Sequence, residues 1–191
     1  MHYIVVMTHD YGFTLFDTAI GRCGIAWGPR GIRAVSLPEK DDRAARARLL
    51  RKSPGGREAS PPPVVQAVID DIGGLMRGEA VDFSTVALDI EGLSDFARQV
   101  YAIARTVPPG STITYGEIAA RLGVEARDVG QTMGQNPCPV IVPCHRVVAA
   151  GRKAGGFSAP GGVDTKLRLL AIEGAQVEGT LPLFESANRP R

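Results

Sequence analysis

Short stretches of apolar residues, some alternating with polar ones, follow one another early in the chain. They cover residues 13–16, 23–27 and 31–37, and Gly28-Pro29-Arg30-Gly31 lies between the last two. Aromatic and β-branched side chains favour strands, whereas glycine and proline favour tight turns. The pattern predicts an antiparallel meander of short strands.

Helical patterns follow the meander. Residues 41–52 are charged and contain Ala and Leu, and residues 64–76 place apolar side chains at helical spacing. The Ser-, Gly- and Pro-rich residues 53–63 between them predict a loop. Residues 86–90 alternate between apolar and polar or small side chains, which predicts a closing strand. We therefore expect a mixed α/β unit over residues 1–90.

A second unit, residues 91–179, is predicted to be mainly helical. Ser94 is a good N-cap, and the apolar side chains after it fall on one helical face. Pro108-Pro109-Gly110 ends this helix. The predicted inward face consists of Phe96, Val100, Ile103 and Val107.

Two short helices are predicted next. Thr114-Tyr115-Gly116-Glu117 has the form of a capping box, so the first helix begins at Tyr115 and ends at Gly123. The second covers about 125–134. Two helices around a glycine turn form the helix-turn-helix pattern that binds duplex DNA, although many small helical regions share it.

The sequence Pro143-Cys144-His145-Arg146 follows an apolar run at residues 140–142. The β-branched run predicts a short buried strand that Pro143 ends, which places Cys144 at its rim. A thiol beside an imidazole suits nucleophilic catalysis, because the thiolate is the attacking species.

Glu173 lies on the apolar stripe of a helix predicted over residues 163–173. A carboxylate on one nitrogen of His145 would fix the tautomer, so that the other nitrogen accepts the thiol proton directly or through water. This is a Cys-His-Glu relay. The alternative is a local ion pair of Glu173 with Lys166 or Arg168.

Composition narrows the class of protein only slightly. The 191 residues are 44% hydrophobic and 22% charged with a net charge of +2, which is typical of one large or two small globular domains. This charge does not by itself indicate a polyanionic partner. No apolar run has membrane-spanning length, and residues 1–10 lack the features of a secretory signal.

The cysteines indicate a reducing compartment, and we expect the protein to be cytoplasmic. Three cysteines, an odd and widely spread set, do not form a disulfide scaffold. Cys23 and Cys138 fit the role of small buried apolar residues. With only three histidines and no Cys-x-x-Cys motif, we expect no metal and no cofactor.

From residue 114 to residue 174 the chain resembles the methylated-DNA–protein-cysteine methyltransferases, also called 6-O-alkylguanine-DNA alkyltransferases. The matching residues are Tyr115-Gly116-Glu117-Ile118-Ala119, Arg127, Val129-Gly130, Asn136-Pro137, Pro143-Cys144-His145-Arg146-Val147, Gly156-Phe157-Ser158, Gly161-Gly162, Lys166, Leu169-Leu170 and Glu173-Gly174. In the first half, bacterial members are matched by Phe16-Asp17-Thr18, Gly21-Arg22-Cys23-Gly24 and Leu37-Pro38.

The resemblance implies an α/β (α+β) fold of two domains in a monomer. Residues 1–90 are expected to form a ribonuclease-H-like supporting domain, and residues 91–179 a mostly helical, winged-helix-like catalytic domain. Residues 180–191 are expected to be a disordered tail.

The resemblance also implies DNA repair by a protein that is consumed. After base flipping in duplex DNA, the alkyl group of 6-O-alkylguanine passes irreversibly to Cys144, one group per molecule. His145 acts through a water as the base, Glu173 orients it, and Asn136 is a hinge residue that ties the second DNA-binding helix to the active-site segment. For Asn136 the alternative is a helix cap.

Substrate and DNA contacts follow from the same resemblance, with binding in the minor groove. Arg127 is the arginine finger that fills the gap left by the flipped base, and Tyr115 crowds its phosphate; the alternatives are a solvated Arg and a packed Tyr. Other expected DNA contacts are Ala126, Gly130, Gln131 and Met133. Residues expected to line the base pocket are Val147, Val148, Phe157 and Ser158.

The second helix departs from the family pattern. Asp128 and Gln131 occupy positions where members commonly carry small residues. Facing DNA, Asp128 would repel phosphates and weaken binding; paired with Arg121 or Arg127, it would not.

Other functions are consistent with parts of the sequence. A cysteine hydrolase would use the same relay with turnover, and a DNA-binding regulator would need only the two short helices. A relative that only senses lesions would lack the acceptor cysteine, and Cys144 is present.

Overall fold

Three antiparallel strands form the meander expected in the first part of the chain. In the computed structural model, which describes residues 11–90 and 92–177, they are β1 (Gly12–Thr18), β2 (Gly21–Gly28) and β3 (Gly31–Ser36). In β1 the first two residues are buried and the rest are half-buried apart from the exposed Asp17, whereas β2 is buried almost throughout. The meander prediction is therefore confirmed.

Helices α1 (Asp42–Lys52) and α2 (Pro63–Met76) follow the meander close to the predicted bounds. Asp41 caps α1 by accepting a 2.7 Å hydrogen bond from the Ala44 amide. The region predicted as a loop contains a two-residue strand, β4 (Arg57–Glu58), which pairs in parallel with β1. The sheet order is β3-β2-β1-β4.

The closing strand predicted at residues 86–90 is wrong. Only a single bridge, between Ile32 and Leu88, joins this segment to β3. The next part of the β3 edge pairs with another segment, because the Val35 amide donates to the carbonyl of Pro137 at 2.9 Å. The second half of the chain thus completes the edge that the alternating pattern was expected to cover.

Helix α3 (Asp95–Arg105) is capped by Ser94 as predicted, but its buried face is rotated from the expected one. Phe96 and Ile103 are only half-buried, whereas Tyr101 is fully buried and donates to the carbonyl of Thr132 at 2.9 Å. The rotation arises because alanines allow close packing and Tyr101 needs a polar partner. The buried residues are Ala97, Val100, Tyr101 and Ala104.

Helices α4 (Tyr115–Leu122) and α5 (Ala126–Gly134) form the expected pair. The capping box of α4 is complete: the Thr114 hydroxyl accepts from the Glu117 amide at 3.1 Å, and the Glu117 carboxylate accepts from the Thr114 amide at 2.7 Å. Gly123 ends α4 with φ 68°, a conformation that favours glycine.

The strand predicted at residues 140–142 is also wrong. These residues form a turn in which Val140 has φ 78° and the Val142 amide donates to the Cys138 carbonyl at 2.8 Å. A short 3₁₀ turn, Cys144–Arg146, follows. Prolines on both sides of the run lack an amide donor, so the β-branched residues have no ladder to join.

The nearest strand pair is short and parallel. It joins β5 (Ile113–Thr114) to β6 (Val147–Val148), and the last helix is α6 (Gly162–Ile172). One apolar core runs from the β1–β4 sheet through α3 and α5 to α6. Within the described residues, no helix is long and apolar enough to cross a bilayer. The predicted tail at 180–191 lies outside them.

The β3 edge offers a test of the fold. Gly31 has φ 136°, and a Cβ there would overlap the carbonyl of Ala87, whereas Gly55 has φ 80° and open space around it. We expect Gly31→Ala to destabilise the protein by about 3 kcal/mol or more, and the control Gly55→Ala by about 1 kcal/mol. Urea unfolding measures both, and equal losses would contradict the close approach of Ala87 to β3.

Candidate active site

Cys144 lies at the base of a cleft of about 460 Å³. It begins the 3₁₀ turn, and only 7% of the residue is exposed. The cleft is formed by α4, α5 and the segment before α6. Its lining residues are Tyr115, Gly130, Met133, Gly134, Cys144, Gly156, Phe157 and Ser158.

A buried carboxylate joins the two residues after Cys144. Glu173 Oε1 lies 2.9 Å from His145 Nε2 and 2.8 Å from Arg146 Nη2, and Glu173 Oε2 lies 3.0 Å from Arg146 Nε. The side chains of His145 and Glu173 are 0% and 2% exposed. The local alternative, Glu173 with Lys166 or Arg168, does not occur, because these two donate to backbone carbonyls.

The charge of Glu173 determines the tautomer of His145. Burial raises the pKa of the Glu173 carboxyl, but the neighbouring His145 and Arg146 outweigh it and lower the pKa to about 2. An ionised carboxylate only accepts hydrogen bonds, so Nε2 carries the proton. The other ring nitrogen, Nδ1, is buried and has no hydrogen-bond partner within residues 11–90 and 92–177, so it is the basic nitrogen.

Opposing effects act on the Cys144 thiol. Burial raises its pKa, and the side chain of Asn136, the charge of Lys166 and the amides of Cys144 and His145 oppose that rise without cancelling it. The thiol is therefore protonated at neutral pH. To act as a nucleophile it needs a base, and His145 is its neighbour in the chain.

Asn136 binds both ends of the turn that precedes Cys144. Its Nδ2 donates to the Val142 carbonyl, and its Oδ1 accepts from the Cys138 amide, each at 2.9 Å. It comes immediately after Gln135, the C-cap of α5. Both bonds of the side chain thus go to the turn, and neither caps the helix.

Lys166, named from the sequence only as a matching residue and as an alternative partner of Glu173, is a residue of the site. It is fully buried, and its Nζ donates to the carbonyls of Val147 at 2.6 Å and Gly156 at 3.3 Å. Burial lowers the pKa of its ammonium group to about 8, although the nearby Cys144 opposes this. Its place on the apolar stripe of α6, three residues before Leu169, was the available signal.

Two hydrogen bonds hold the walls of the cleft. Ser158 Oγ donates to the carbonyl of Gly134 at 2.7 Å, and Tyr115 Oη donates to that of Gly156 at 3.4 Å. The segment before α6 is thereby attached to both α4 and α5. Gly134 and Gly156, which were not predicted, leave open space where a Cβ would project.

The other predicted contact residues are distributed over two surfaces. Val147 and Val148 are fully buried in β6 and do not line the cleft. On α5, Gly130 and Met133 line the cleft, and three exposed residues lie outside it: Ala126, Arg127 and Gln131.

Asp128 and the two remaining cysteines are also defined by the structure. Asp128 is exposed and forms no ion pair with Arg121 or Arg127 in the described part of the chain. Cys23 and Cys138 are fully buried, and burial raises their thiol pKa values to about 11 and about 12. Neither thiol is poised to react.

Comparisons with known proteins agree with this site. Residues 95–175 match the family model described as 6-O-methylguanine DNA methyltransferase, DNA binding domain. A methylated-DNA–protein-cysteine methyltransferase of Methanothermobacter thermautotrophicus is 35% identical over 156 residues, which is 82% of this chain and 81% of the relative. A DNA base-flipping protein of Thermus thermophilus is 41% identical over 98 residues, or 51% of this chain and 65% of that protein.

A solved structure has the same fold. The crystal structure of Mycobacterium tuberculosis OGT in complex with DNA aligns with a TM-score of 0.69 and 30% identity, covering 85% of this chain and 92% of that one. The protein has a mixed α/β architecture of a small sheet and helices, and a buried Cys-His-Glu set. These features place it in the class of proteins that use a cysteine as the acceptor of a transferred group. The chain belongs to the methylated-DNA–protein-cysteine methyltransferase family.

The buried carboxylate predicts a pH-dependent stability. A lowered carboxyl pKa stabilises the folded state above its ordinary value of 4.5, and the effect is lost as pH falls toward about 2. We expect Glu173→Gln to cost about 3–5 kcal/mol at pH 7, because it leaves Arg146 without its charged partner, and the difference from the parent to shrink as pH falls from 4.5 toward 2.

Urea unfolding at several pH values measures this difference. The exposed Glu125 serves as control, since Glu125→Gln should change stability by no more than about 0.5 kcal/mol at any of them. A Glu173→Gln loss that stays constant with pH would show that the carboxylate charge is not its source.

Proposed function

We propose that this protein repairs duplex DNA by taking an alkyl group from the 6-oxygen of guanine onto the sulfur of Cys144. A bond forms between the sulfur and the alkyl carbon as the bond from that carbon to the guanine oxygen breaks. The bonding electrons pass to the guanine oxygen, and protonation restores the normal guanine, which stays attached to its DNA strand. The thioether does not hydrolyse, so each molecule acts once.

The observation that carries this proposal is the position of Cys144. Its thiol lies in a cleft lined by the aromatic rings of Tyr115 and Phe157, and Cys144 is followed by His145 paired with Glu173. The free Nδ1 of His145 takes the thiol proton, through a water, and Glu173 stabilises the imidazolium that results. Asn136 contributes by holding the turn that presents the thiol.

Backbone groups of the cleft recognise the guanine in this proposal. A carbonyl of the turn at Cys144 accepts from the guanine amino group, since Val147 itself is buried outside the cleft. Amides of Phe157 and Ser158 donate to the oxygen as negative charge develops on it. Val148 anchors β6 by packing with Leu170, Ala175 and Val177. The Phe157 ring needs no hydroxyl to wall the cleft.

The alkylated oxygen lies inside a base pair, so the nucleotide must be flipped out before transfer. We propose that α5 enters the minor groove, with Arg127 filling the vacated space and Tyr115 crowding the phosphate. Exposure of Ala126, Arg127 and Gln131 supports this orientation, as does the position of Gly130 and Met133 at the cleft.

The organisation of the chain follows the same proposal. A ribonuclease-H-like domain over 1–90 is supported by the meander followed by helices, and a winged-helix-like domain over 91–179 by α3, α4, α5 and the β5–β6 pair. A monomer is supported because the large exposed apolar residues of the described chain, Leu50, Val64 and Val163, lie on separate helices. The free cysteines favour the cytoplasm.

A labelled-methyl experiment tests the proposed reaction. Duplex DNA carrying labelled methyl on the 6-oxygen of guanine is incubated with the parent and with Cys144→Ser. We expect transfer to stop at one equivalent in the parent, to fall by at least about 1000-fold in the variant, and to label Cys144 alone. Cys138→Ser is the matched control and should transfer as the parent does.

Two results would contradict the proposed reaction. Repeated turnover would indicate a hydrolase or another catalyst, and binding of the lesion without label on the protein would indicate a lesion sensor. Mass spectrometry of the peptide that contains Cys144 distinguishes these outcomes.

Asp128 provides a test of the α5 orientation. An unpaired carboxylate facing phosphates is repulsive, so Asp128→Asn should tighten binding to duplex DNA by about 3- to 10-fold at low salt. The control is Asp70→Asn on the exposed side of α2. Filter binding in the Cys144→Ser background measures both, and unchanged affinity for Asp128→Asn would show that this side of α5 does not face the duplex.

A further inference from the structure

Exposed basic side chains of the second half fall into two groups. Arg98 bonds to Asp95, and Arg168 donates to backbone carbonyls. The others form no ion pair within residues 92–177: Arg121, Arg127, Arg152 and Lys153. Arg127 lies on α5, which the proposed function places in the minor groove, and Arg121 lies on the adjoining helix α4. Arg152 and Lys153 have no role in that proposal.

These two residues lie in a tight turn beside the cleft. The Ala149 amide donates to the Lys153 carbonyl at 2.8 Å, and the turn follows β6 directly. Because Thr114 of β5 pairs with Val148 of β6, the turn lies close to the beginning of α4. A Cβ on Gly155 would lie 3.3 Å from the Tyr115 ring, so the chain after the turn passes against the wall of the cleft.

The backbone of the turn is unusual at Arg152. It has φ 58°, and it is one of two non-glycine residues with positive φ in the described chain. Gly151 before it has φ 71°. A left-handed conformation costs an arginine about 1 kcal/mol or more, and such strain is commonly retained where a side chain must be aimed for function.

Arg152 lines a polar cleft of about 380 Å³. The side chains there offer a guanidinium, two hydroxyls and an amide, and none is a carboxylate. The whole stretch from residue 129 to residue 163 contains no Asp or Glu. The lining residues are Gly110, Ser111, Thr112, Arg152, Gly174 and Gln176.

We propose that Arg152 and Lys153, with the hydroxyls of Ser111 and Thr112, form a phosphate-binding subsite for the DNA strand that carries the flipped nucleotide. When the base enters the cleft, the phosphates of that nucleotide must lie at its mouth, next to Tyr115. A guanidinium and an ammonium group there replace the counterions of the rotated backbone. This inference rests on the proposed function and adds a second DNA contact surface to α5.

Salt-dependent binding tests the subsite. In the Cys144→Ser background, the double variant Arg152→Gln/Lys153→Gln is compared with its parent on a duplex containing 6-O-methylguanine, from 50 to 200 mM salt. Losing two phosphate contacts should reduce the magnitude of the slope of log affinity against log salt by about 1.8, and the affinity at 0.1 M salt by up to about 60-fold. Glutamine at position 152 has the same positive φ to adopt as arginine, so the variant and its parent carry the same backbone strain.

The control removes the same charge elsewhere. Lys40 and Arg43 are exposed and lie in the first half of the chain, at α1. Lys40→Gln/Arg43→Gln should leave the slope within about 0.3 of the parent. If the Arg152/Lys153 variant changes the slope no more than this control does, the subsite is absent.

Alkyl transfer separates this inference from the one on which it rests. With wild-type Cys144, the Arg152/Lys153 variant should still transfer one methyl group to the protein at saturating DNA, and below saturation its second-order rate should be lower than that of the parent. If the parent transfers its methyl group but the slope is unchanged, only the subsite fails. If the parent does not transfer, the proposed function fails whatever the slope.

Discussion

One buried carboxylate organises the reactive end of this molecule. Glu173 is taken out of water, a position an ionised acid occupies only when other groups compensate its charge. Arg146 compensates it with a two-pronged ion pair and also donates to the carbonyl of Val107, while His145 is left with a single tautomer. The end of α6, the 3₁₀ turn and the chain after α3 are therefore fixed by one interaction.

The sheet of the first half supports the same site from the other side. The β3 edge holds the carbonyl of Pro137, and Asn136 beside it holds the turn that leads to Cys144. Since the apolar core is continuous, the first and second halves of the described chain pack as one interior. The position of the thiol thus depends on residues far from it in sequence.

Local signals in the sequence predicted the elements whose stability is local. The meander, the Ser94 cap and the Thr114 capping box need only neighbours in the chain, and all are present. The two wrong strands, at 86–90 and 140–142, are apolar segments whose conformation depends on distant partners at the β3 edge and on flanking prolines. Periodicity cannot report such partners.

The site shows the same division. The pairing of Glu173 with His145 was open to prediction because both lie in recognisable patterns, and an acid on an apolar stripe needs a partner. Arg146 as a second partner, Lys166 behind the cleft and the open walls at Gly134 and Gly156 depend on how the helices pack. Those features require coordinates, since a basic residue or a glycine is locally unremarkable in sequence.

Helix α5 serves two surfaces at once, which limits how this protein can evolve. Gly130 and Met133 face the cleft, and Arg127 and Gln131 on the same short helix face outward. A substitution that tilts the helix to admit a bulkier adduct also changes its outward face. The range of adducts accepted and the affinity for the duplex therefore change together. New specificities are then more accessible through the side chain at position 156, because a Cβ on Gly156 would meet open space.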